Sequence, residues 1–253
     1  LQTVREDVPL DEGVADVVTW MTQKEREARP PSYTALLSGL SQGARPREPL
    51  SSAAAVQDEI AGLKRERDTL RAFDPARLTP DERVDQRILD GIIDGWLLEQ
   101  ETLQNWRRNP MLYASALTDG VMNLMTMENA PAPVRLRRVI NKLAGVPKLL
   151  DAARTNIANP PKLFAERGAA MMRGAAGMLA KDLRLAFAEQ ERTALMDSLM
   201  HAADSARAQI DAYAAWLERD VISKASGDFA IGGENLARRY RAEELIDTPL
   251  DQL

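Results

Sequence analysis

Two long stretches of regularly spaced apolar residues constrain the fold of this chain most strongly. They run from Lys162 to about Phe187 and from about Glu191 to Val221, and apolar side chains return in both at every third or fourth residue. This spacing places them on one face of an α-helix, whereas a half-buried strand would need strict alternation. The stripe of the second stretch comprises Leu199, Ala203, Ala206, Ile210, Tyr213 and Leu217. The pattern predicts two long helices.

Proline, glycine and capping residues predict where the other helices begin and end. Thr79-Pro80-Asp81-Glu82 combines an N-cap, a proline in the first turn and acidic side chains, which predicts a helix from here to about Asn109. Pro110 predicts the start of the next helix. Further helices are expected at residues 11–28, from Ser51 or Ser52 to about Phe73, at 134–144 and at 147–157. We expect an all-α bundle of about eight to ten helices with long antiparallel members.

One segment departs from the helical pattern. Residues 226–233 alternate briefly and are flanked by glycines, which favours at most one short strand or turn near 227–233. The spacing of prolines and the helix lengths vary, so no solenoid repeat is predicted. We expect a single helical domain over residues 1–253, with a subdivision at 74–80 or 126–133 as the alternative.

Composition excludes several classes of function. A formal net charge of -5 and a pI near 5.2 argue against a nucleic acid partner, because binding to its phosphate backbone depends on clustered Lys and Arg. No apolar run approaches the roughly 20 residues of a membrane-spanning helix. The chain has no cysteine, so disulfides, thiolate metal sites and cysteine nucleophiles are excluded, while a cytoplasmic and an exported location both stay open.

The sequence offers no complete catalytic or metal-binding motif. His201 is the single histidine and lacks a Glu-x-x-His partner, so a surface or structural role is favoured over zinc binding. No Gly-x-Ser-x-Gly elbow, phosphate-binding loop or dinucleotide fingerprint occurs. We therefore assign no catalytic residue, no metal ligand and no cofactor to this chain. The glycines inside the long helical pattern are expected to allow close helix packing beside core methionines: Gly168, Gly174 and Gly177, with Met171, Met172 and Met178.

Glu99 and a cluster of three arginines are further candidates for chemistry. Glu99 lies close to the apolar face that contains Trp96 and Trp106, which makes it a possible buried carboxylate, although a solvated pair with a residue such as Arg107 is the favoured interpretation. An unrecognised enzyme that uses such carboxylates is the third-ranked hypothesis. Three arginines could clamp a carboxylate or form a solvated helix face: Arg135, Arg137 and Arg138.

Several motifs resemble those of one bacterial family. They are Asn109-Pro110-Met111-Leu112-Tyr113, the arginine segment 135–138, Val146-Pro147-Lys148-Leu149-Leu150, Ala153-Arg154-Thr155-Asn156-Ile157, Pro160-Pro161, Trp216-Leu217 and Gly227-Asp228-Phe229-Ala230-Ile231-Gly232, with Pro31-Ser32-Tyr33-Thr34 and Gly39 upstream. Together they resemble the family known as domain of unknown function 885 over nearly the whole chain.

This resemblance implies a helical part of a zinc peptidase-like protein. Members of the family are similar to helical zinc peptidases whose His-Glu-x-x-His helix lies in their second half, at positions that would follow Leu253. The resemblance implies that the present helices wall a substrate channel for peptides, with Asp228, Phe229 and Gly232 as candidate channel residues. The chain alone would then be inactive and would associate with the missing C-terminal half or with itself, because Leu245, Ile246, Leu250 and Leu253 end it on an apolar segment. The alternative is a self-standing helical binding or scaffold module.

Overall fold

The computed structural model of the protein describes residues 52–128 and 130–253. No strand occurs within these ranges, and the predicted all-α class is confirmed. The predicted helix at 11–28 and the motif around Pro31 lie outside the described residues. The α-helices are α1 Ala53–Arg71, α2 Pro80–Leu97, α3 Asn105–Arg108, α4 Met111–Thr126, α5 Ala132–Ala144, α6 Val146–Asn156, α7 Lys162–Ala186, α8 Ala194–Trp216 and α9 Gly233–Glu243.

Short irregular helices join or extend these elements. The π-helical stretches Leu98–Leu103 and Leu217–Val221 continue α2 and α8. Four 3₁₀ turns are formed by Pro75–Arg77, Ala188–Gln190, Ile222–Lys224 and Leu250–Gln252. The segment before α9 is a bend without strand pairing, so the turn expected near 227–233 is present and the strand is not.

Local capping explains why α1 and α2 begin where they do. The Ser52 hydroxyl accepts a hydrogen bond from the Ala55 amide at 3.1 Å, which selects Ser52 among the two predicted caps. At α2 the Thr79 hydroxyl accepts from the Glu82 amide, while the Glu82 carboxylate accepts from the Thr79 amide at 2.8 Å. This reciprocal capping box satisfies two amides that no helical carbonyl can reach.

The prediction that this helix continues to Asn109 is wrong. It ends in the π-helical stretch, and Gln104 adopts a left-handed conformation with φ 50° before α3 begins. A left-handed residue cannot continue a right-handed helix. No glycine or proline marks this break in the sequence, so propensity alone gave no signal for it.

The described residues fall into two compact units. The first unit contains residues 56–103 and 231–253, and the second contains residues 104–230 with a few residues at the start of α1. In the first unit α1 and α2 run antiparallel, since Arg71 pairs with Asp90 at 2.6 Å while Arg67, one turn earlier, pairs with Asp94 at 3.1 Å. Their buried side chains include Ile60, Leu63, Leu70, Leu89, Ile93 and Leu97.

A glycine brings α9 against α2 in the first unit. A Cβ atom on Gly91 would lie 2.5 Å from the carbonyl oxygen of Ala242, a distance that real side chains do not adopt. Ala242 is itself buried, so two small residues let the helix backbones touch. Any larger residue at position 91 would separate α9 from α2.

The second unit is a helical bundle around a continuous apolar core. α8 packs against α7, α5 and α6, and α4 packs against the same three helices. The apolar stripe predicted for α8 is confirmed, because all six of its residues are buried. The largest completely buried side chains are Tyr113, Phe187, Leu136, Leu143, Leu150, Met172, Leu183 and Tyr213.

The three glycines of α7 do not share one role. A Cβ atom on Gly168 would lie 2.7 Å from the Cβ atom of Pro110, so this glycine allows the close packing that was predicted. No atom lies within 4 Å of the corresponding positions on Gly174 and Gly177, and both residues are exposed. The prediction of close packing is wrong for these two glycines. They destabilise the helix, and no packing contact offsets that cost.

We therefore expect Gly174→Ala and Gly177→Ala to stabilise the second unit by about 0.5–1 kcal/mol each, because alanine restricts the unfolded chain and favours the helix. Gly168→Ala is the matched control and should destabilise, because the rigid Pro110 ring cannot yield. Urea unfolding followed by circular dichroism measures all three free energies. Equal effects at positions 168 and 174 would contradict this assignment.

Two tyrosines in the core of the second unit differ in their hydrogen bonding. The Tyr113 hydroxyl donates to the carbonyl oxygen of Trp106 at 2.6 Å and accepts from the Asn156 amide nitrogen at 3.1 Å. The Tyr213 hydroxyl is equally buried and forms no hydrogen bond among the described residues. Burial raises the pKa of Tyr113 to about 12, against a smaller opposite effect of Asn156. Burial also raises the pKa of Tyr213.

The two Tyr→Phe variants should therefore differ in their free energy of unfolding. Tyr113→Phe loses two hydrogen bonds and should lower the free energy of unfolding by about 1–3 kcal/mol, whereas Tyr213→Phe should be neutral or stabilising. Because both folded-state pKa values are raised, the wild type should lose stability as the pH rises from about 10, the ordinary tyrosine pKa, through that of Tyr113. Urea unfolding at neutral and alkaline pH tests this, and equal losses in both variants would refute the assignment.

Candidate functional site

The predicted channel residues are divided between the two units. Asp228 and Phe229 belong to the second unit, at the end of its chain, and Gly232 belongs to the first. Gly232 is the residue before α9 and has φ 81°, a conformation that favours glycine. A glycine is therefore explained here by the positive φ that the backbone adopts before this helix.

A loop between α6 and α7 fixes the chain that precedes Phe229. The side-chain oxygen of Asn159 accepts hydrogen bonds from the Ser226 amide at 2.9 Å and from its hydroxyl at 3.1 Å. The Gly227 amide donates to the carbonyl oxygen of Pro160 at 3.3 Å. A Cβ atom on Gly227 would overlap the Asn159 carbonyl oxygen and lie 2.8 Å from the Pro160 carbonyl carbon. We call residues 226–229 the docked segment.

Further contacts fix the outer half of the docked segment. Arg108 donates a hydrogen bond to the carbonyl oxygen of Asp228, whose carboxylate accepts from the Ala230 amide at 2.9 Å. The Phe229 ring packs edge-on against Phe164 with 5.5 Å between ring centres. Even so, Phe229 is 60% exposed. The docked segment thus holds an apolar ring in solvent on a backbone with defined hydrogen bonds.

The carboxylate of Glu99 is paired in the first unit. It accepts a hydrogen bond from Arg239 of α9 at 2.8 Å, and both side chains are half-buried. Arg239 also lies 3.4 Å from Glu243, one turn further along α9. The predicted partner Arg107 belongs to the second unit, where it contacts Gln104 and the Trp106 ring. Sequence reasoning missed Arg239 because it lies 140 residues from Glu99.

A cleft opens next to this ion pair in the first unit. It encloses about 570 Å³ between the Ile88–Gln100 stretch and the end of α9. Three apolar side chains of α2 line one side at intervals of four residues, namely Ile88, Ile92 and Trp96. The opposite side is formed by Ala242, Glu243, Glu244 and Leu245. The α2 spacing is visible in the sequence, but it equally describes a buried helix face, so it did not predict a cleft.

The other candidates do not converge on a site. Arg135 is buried, donates to the carbonyl oxygens of Leu124 and Met125 at 3.1 Å, and lies 5.3 Å from the Phe187 ring centre. It therefore satisfies carbonyls at the end of α4. Arg137 and Arg138 are exposed, which fits the solvated helix face, the favoured alternative to a carboxylate clamp. His201 is exposed on α8.

Neither a metal cluster nor a membrane helix is found in the described part of the chain. Within residues 52–128 and 130–253, no three His, Cys, Asp or Glu side chains are grouped so that they could hold a metal ion. None of the helices in the same ranges combines the length and apolar character that crossing a bilayer requires.

Comparison with known proteins gives the family. Residues 34–253 match the profile of a family described as "Bacterial protein of unknown function (DUF885)". The chain belongs to this family. No curated protein matches it significantly. Among solved structures it is similar to a putative lipoprotein of unknown function from Shewanella oneidensis, with a TM-score of 0.71 and 20% sequence identity.

The likeness to that lipoprotein is a likeness of fold. The match covers 94% of this chain but 43% of the other, so the chain spans less than half of the length of the solved relative. The helical architecture of the described residues is therefore shared with a larger protein. At 20% identity the comparison carries no activity from one protein to the other.

The docked segment gives a local prediction. Asn159→Ala removes the acceptor of Ser226, and Gly227→Ala forces a Cβ atom into the Asn159 carbonyl, so either change should release residues 226–229. We expect hydrogen exchange of the Ser226 and Gly227 amides to accelerate at least about tenfold. Ser223→Ala is the control, because the exposed Ser223 hydroxyl donates to the Arg219 carbonyl within the same turn and does not contact the docked segment. Unchanged protection of both amides in both variants would show that these contacts do not hold the segment.

Proposed function

We propose that this chain is the helical, substrate-channel part of a zinc-dependent peptidase-like protein. In this proposal it binds and orients a peptide and does not itself carry the catalytic groups. Membership of the DUF885 family and the short coverage of the longer relative are consistent with a contribution to a larger molecule. The observation that carries the proposal is the docked segment, which presents Phe229 to solvent from a fixed backbone.

The chemistry of the docked segment suits an extended peptide. An exposed aromatic ring buries apolar side chains of a substrate, and its fixed backbone reduces the conformational entropy lost on binding. Phe164 packs against the Phe229 ring, so Phe229 cannot fold back onto its own loop without losing this contact. Asp228 uses its carboxylate to close the turn at Ala230 and therefore acts here as a positioning residue.

Zinc does not fit the described residues, and no catalytic step is assigned to them. Their acids and single histidine form no group of three ligands, whereas a catalytic zinc site uses three protein ligands and an open position. The proposal places the ligands and the catalytic glutamate in the part of a complete relative that would follow Leu253.

The test begins with the parent gene. Its codons beyond Leu253 should encode a His-Glu-x-x-His helix, and the complete protein should bind one zinc per active site and hydrolyse peptides. The 1–253 chain should not hydrolyse them. A stop codon after Leu253, or a complete protein without zinc and without peptide hydrolysis, would refute the proposal.

Phe229→Ala in the complete protein should raise KM for peptides with apolar side chains about tenfold and should change kcat little. The reason is that burial of the ring by the bound peptide contributes roughly 1–2 kcal/mol to the free energy of binding. Phe229→Leu should restore most of the loss. Leu185→Ala is the matched control, since Leu185 is a 74% exposed apolar residue elsewhere in the second unit. An equal effect at positions 185 and 229 would remove the docked segment from the substrate path.

The cleft of the first unit favours a second candidate, a self-standing binding module. It combines an apolar wall with several carboxylates. This candidate predicts ligand binding by the 1–253 chain itself. It also predicts that binding persists whether or not peptide hydrolysis is found in the complete protein.

A further inference from the structure

An arginine without a carboxylate partner lies beside the docked segment. Arg108 donates from its Nη2 atom to the carbonyl oxygen of Asp228, next to the exposed Phe229. A guanidinium group has five N–H donors, and this bond to a neutral oxygen uses one of them. Among the described residues, no carboxylate forms an ion pair with Arg108 and no acceptor bonds its Nε or Nη1 atom. Its positive charge is therefore uncompensated beside Phe229.

A second guanidinium group lies on the helix that contacts the Phe229 ring. Phe164, which packs against this ring, is followed one turn later on α7 by Arg167. Residues three apart are neighbours on a helix surface, so Arg167 lies beside Phe164. Arg167 is exposed, and its guanidinium forms no ion pair or hydrogen bond within the part of the chain that the structure describes.

The packing of α7 brings the two arginines to one region. A Cβ atom on Gly168 would lie 2.7 Å from the Cβ atom of Pro110, so the two backbones meet there. Arg167 directly precedes Gly168, and Arg108 lies two residues before Pro110. The docked segment reaches the same region through its hydrogen bond with Arg108.

The carboxylates of this region do not neutralise both arginines. Glu166 lies 4.0 Å from Lys162, and the Asp228 carboxylate accepts a hydrogen bond from the Ala230 amide. Two guanidinium groups thus remain against the single carboxylate of Asp228, although the whole chain has a formal net charge of -5. A local excess of positive charge attracts an anionic group.

We propose that the docked segment selects peptides that carry a carboxylate next to an apolar side chain. The apolar side chain covers Phe229, the carboxylate binds Arg108, and Arg167 adds attraction from α7. A guanidinium group suits this role because its planar fork matches a carboxylate. The carboxylate belongs to an acidic side chain or to the C-terminal end of the peptide. This inference rests on the proposed function, since it names the substrate class of the same site.

The probes are four N-acetylated tetrapeptides with the order Ala-Leu-X-Ala. X is Glu, Gln or Lys in three peptides with an amidated C-terminal end, and the fourth has Gln and a free C-terminal carboxylate. NMR titration of the 1–253 chain follows the amide signals of Ser226, Gly227 and Phe229. The Glu peptide, the free-carboxylate peptide or both should bind about threefold to tenfold more tightly than the neutral peptide, and the Lys peptide more weakly. The peptide that gains affinity identifies the source of the carboxylate.

The titration separates this inference from the proposed function. Equal affinity of all four peptides would overturn the carboxylate preference and leave the proposed function intact, because the docked segment would still bind peptides. Absence of binding by every peptide would contradict the proposed function as well. The preference should also weaken with added salt, since it depends on charge.

Three variants locate the bound carboxylate. Arg108→Gln keeps an N–H donor for the Asp228 carbonyl and should reduce the preference to less than about twofold, whereas Arg108→Lys keeps the charge and should retain part of it. Arg137→Gln makes the same change of charge at an exposed arginine of α5 and should leave the preference unaltered. Circular dichroism establishes that each variant is folded. If Arg108→Gln and Arg137→Gln behave alike, the carboxylate does not bind at Arg108.

Discussion

Contact between backbones at glycine is the constraint on which both units depend. In the first unit the missing side chain of Gly91 lets α2 meet the carbonyl of Ala242. In the second, Gly227 meets the carbonyl groups of Asn159 and Pro160. Each contact is set by atoms that cannot rotate away, unlike the end of a flexible side chain, so a single methyl group at either position would displace a whole segment. The cleft beside α9 and the exposed Phe229 both follow from these contacts.

Charged pairs contribute more to the relative orientation of neighbouring helices than to the stability of the fold. Arg173 contacts Asp211 and Glu218, and Arg71 contacts Asp90 and Asp94, but these side chains are exposed or half-buried. Water screens such pairs, and each contributes at most about 1 kcal/mol. Apolar burial provides most of the stability, and the pairs favour the antiparallel register over its alternatives.

The helices of the described residues could be predicted because their signals are local. Thr79, Glu82 and the prolines act within one turn, so capping and period predicted the starts of α2 and α4 and both ends of α7 and of α8 with its π-helical extension close to the observed ones. The break at Gln104 escaped prediction because residues 98–103 have ordinary helix propensity and the left-handed turn carries no glycine. Gly168 and Gly174 show the same limit, since only the neighbouring Pro110 distinguishes them.

The candidate sites were harder to predict than the fold because their parts meet from distant positions. Asp228 and Phe229 became candidates through the resemblance, but the residues that support them, Asn159 and Arg108, lie far away in the chain and have no motif of their own. The pair of Glu99 and Arg239 likewise requires α9 to return to α2. Such contacts are set by tertiary packing, which no single-sequence pattern encodes.

In the proposed function, the exposure of Phe229 serves the recognition of a bound peptide. An exposed aromatic residue is not unusual by itself, since folded proteins keep much apolar surface. What distinguishes this one is the set of hydrogen bonds that orders the backbone beneath it, from Asn159, Pro160 and Arg108. Ordering a surface segment costs conformational entropy, and a ring left 60% exposed recovers only part of its possible burial. A bound partner that covers the ring would bury the rest of its apolar surface. Because the backbone is already ordered, binding would lose little further conformational entropy.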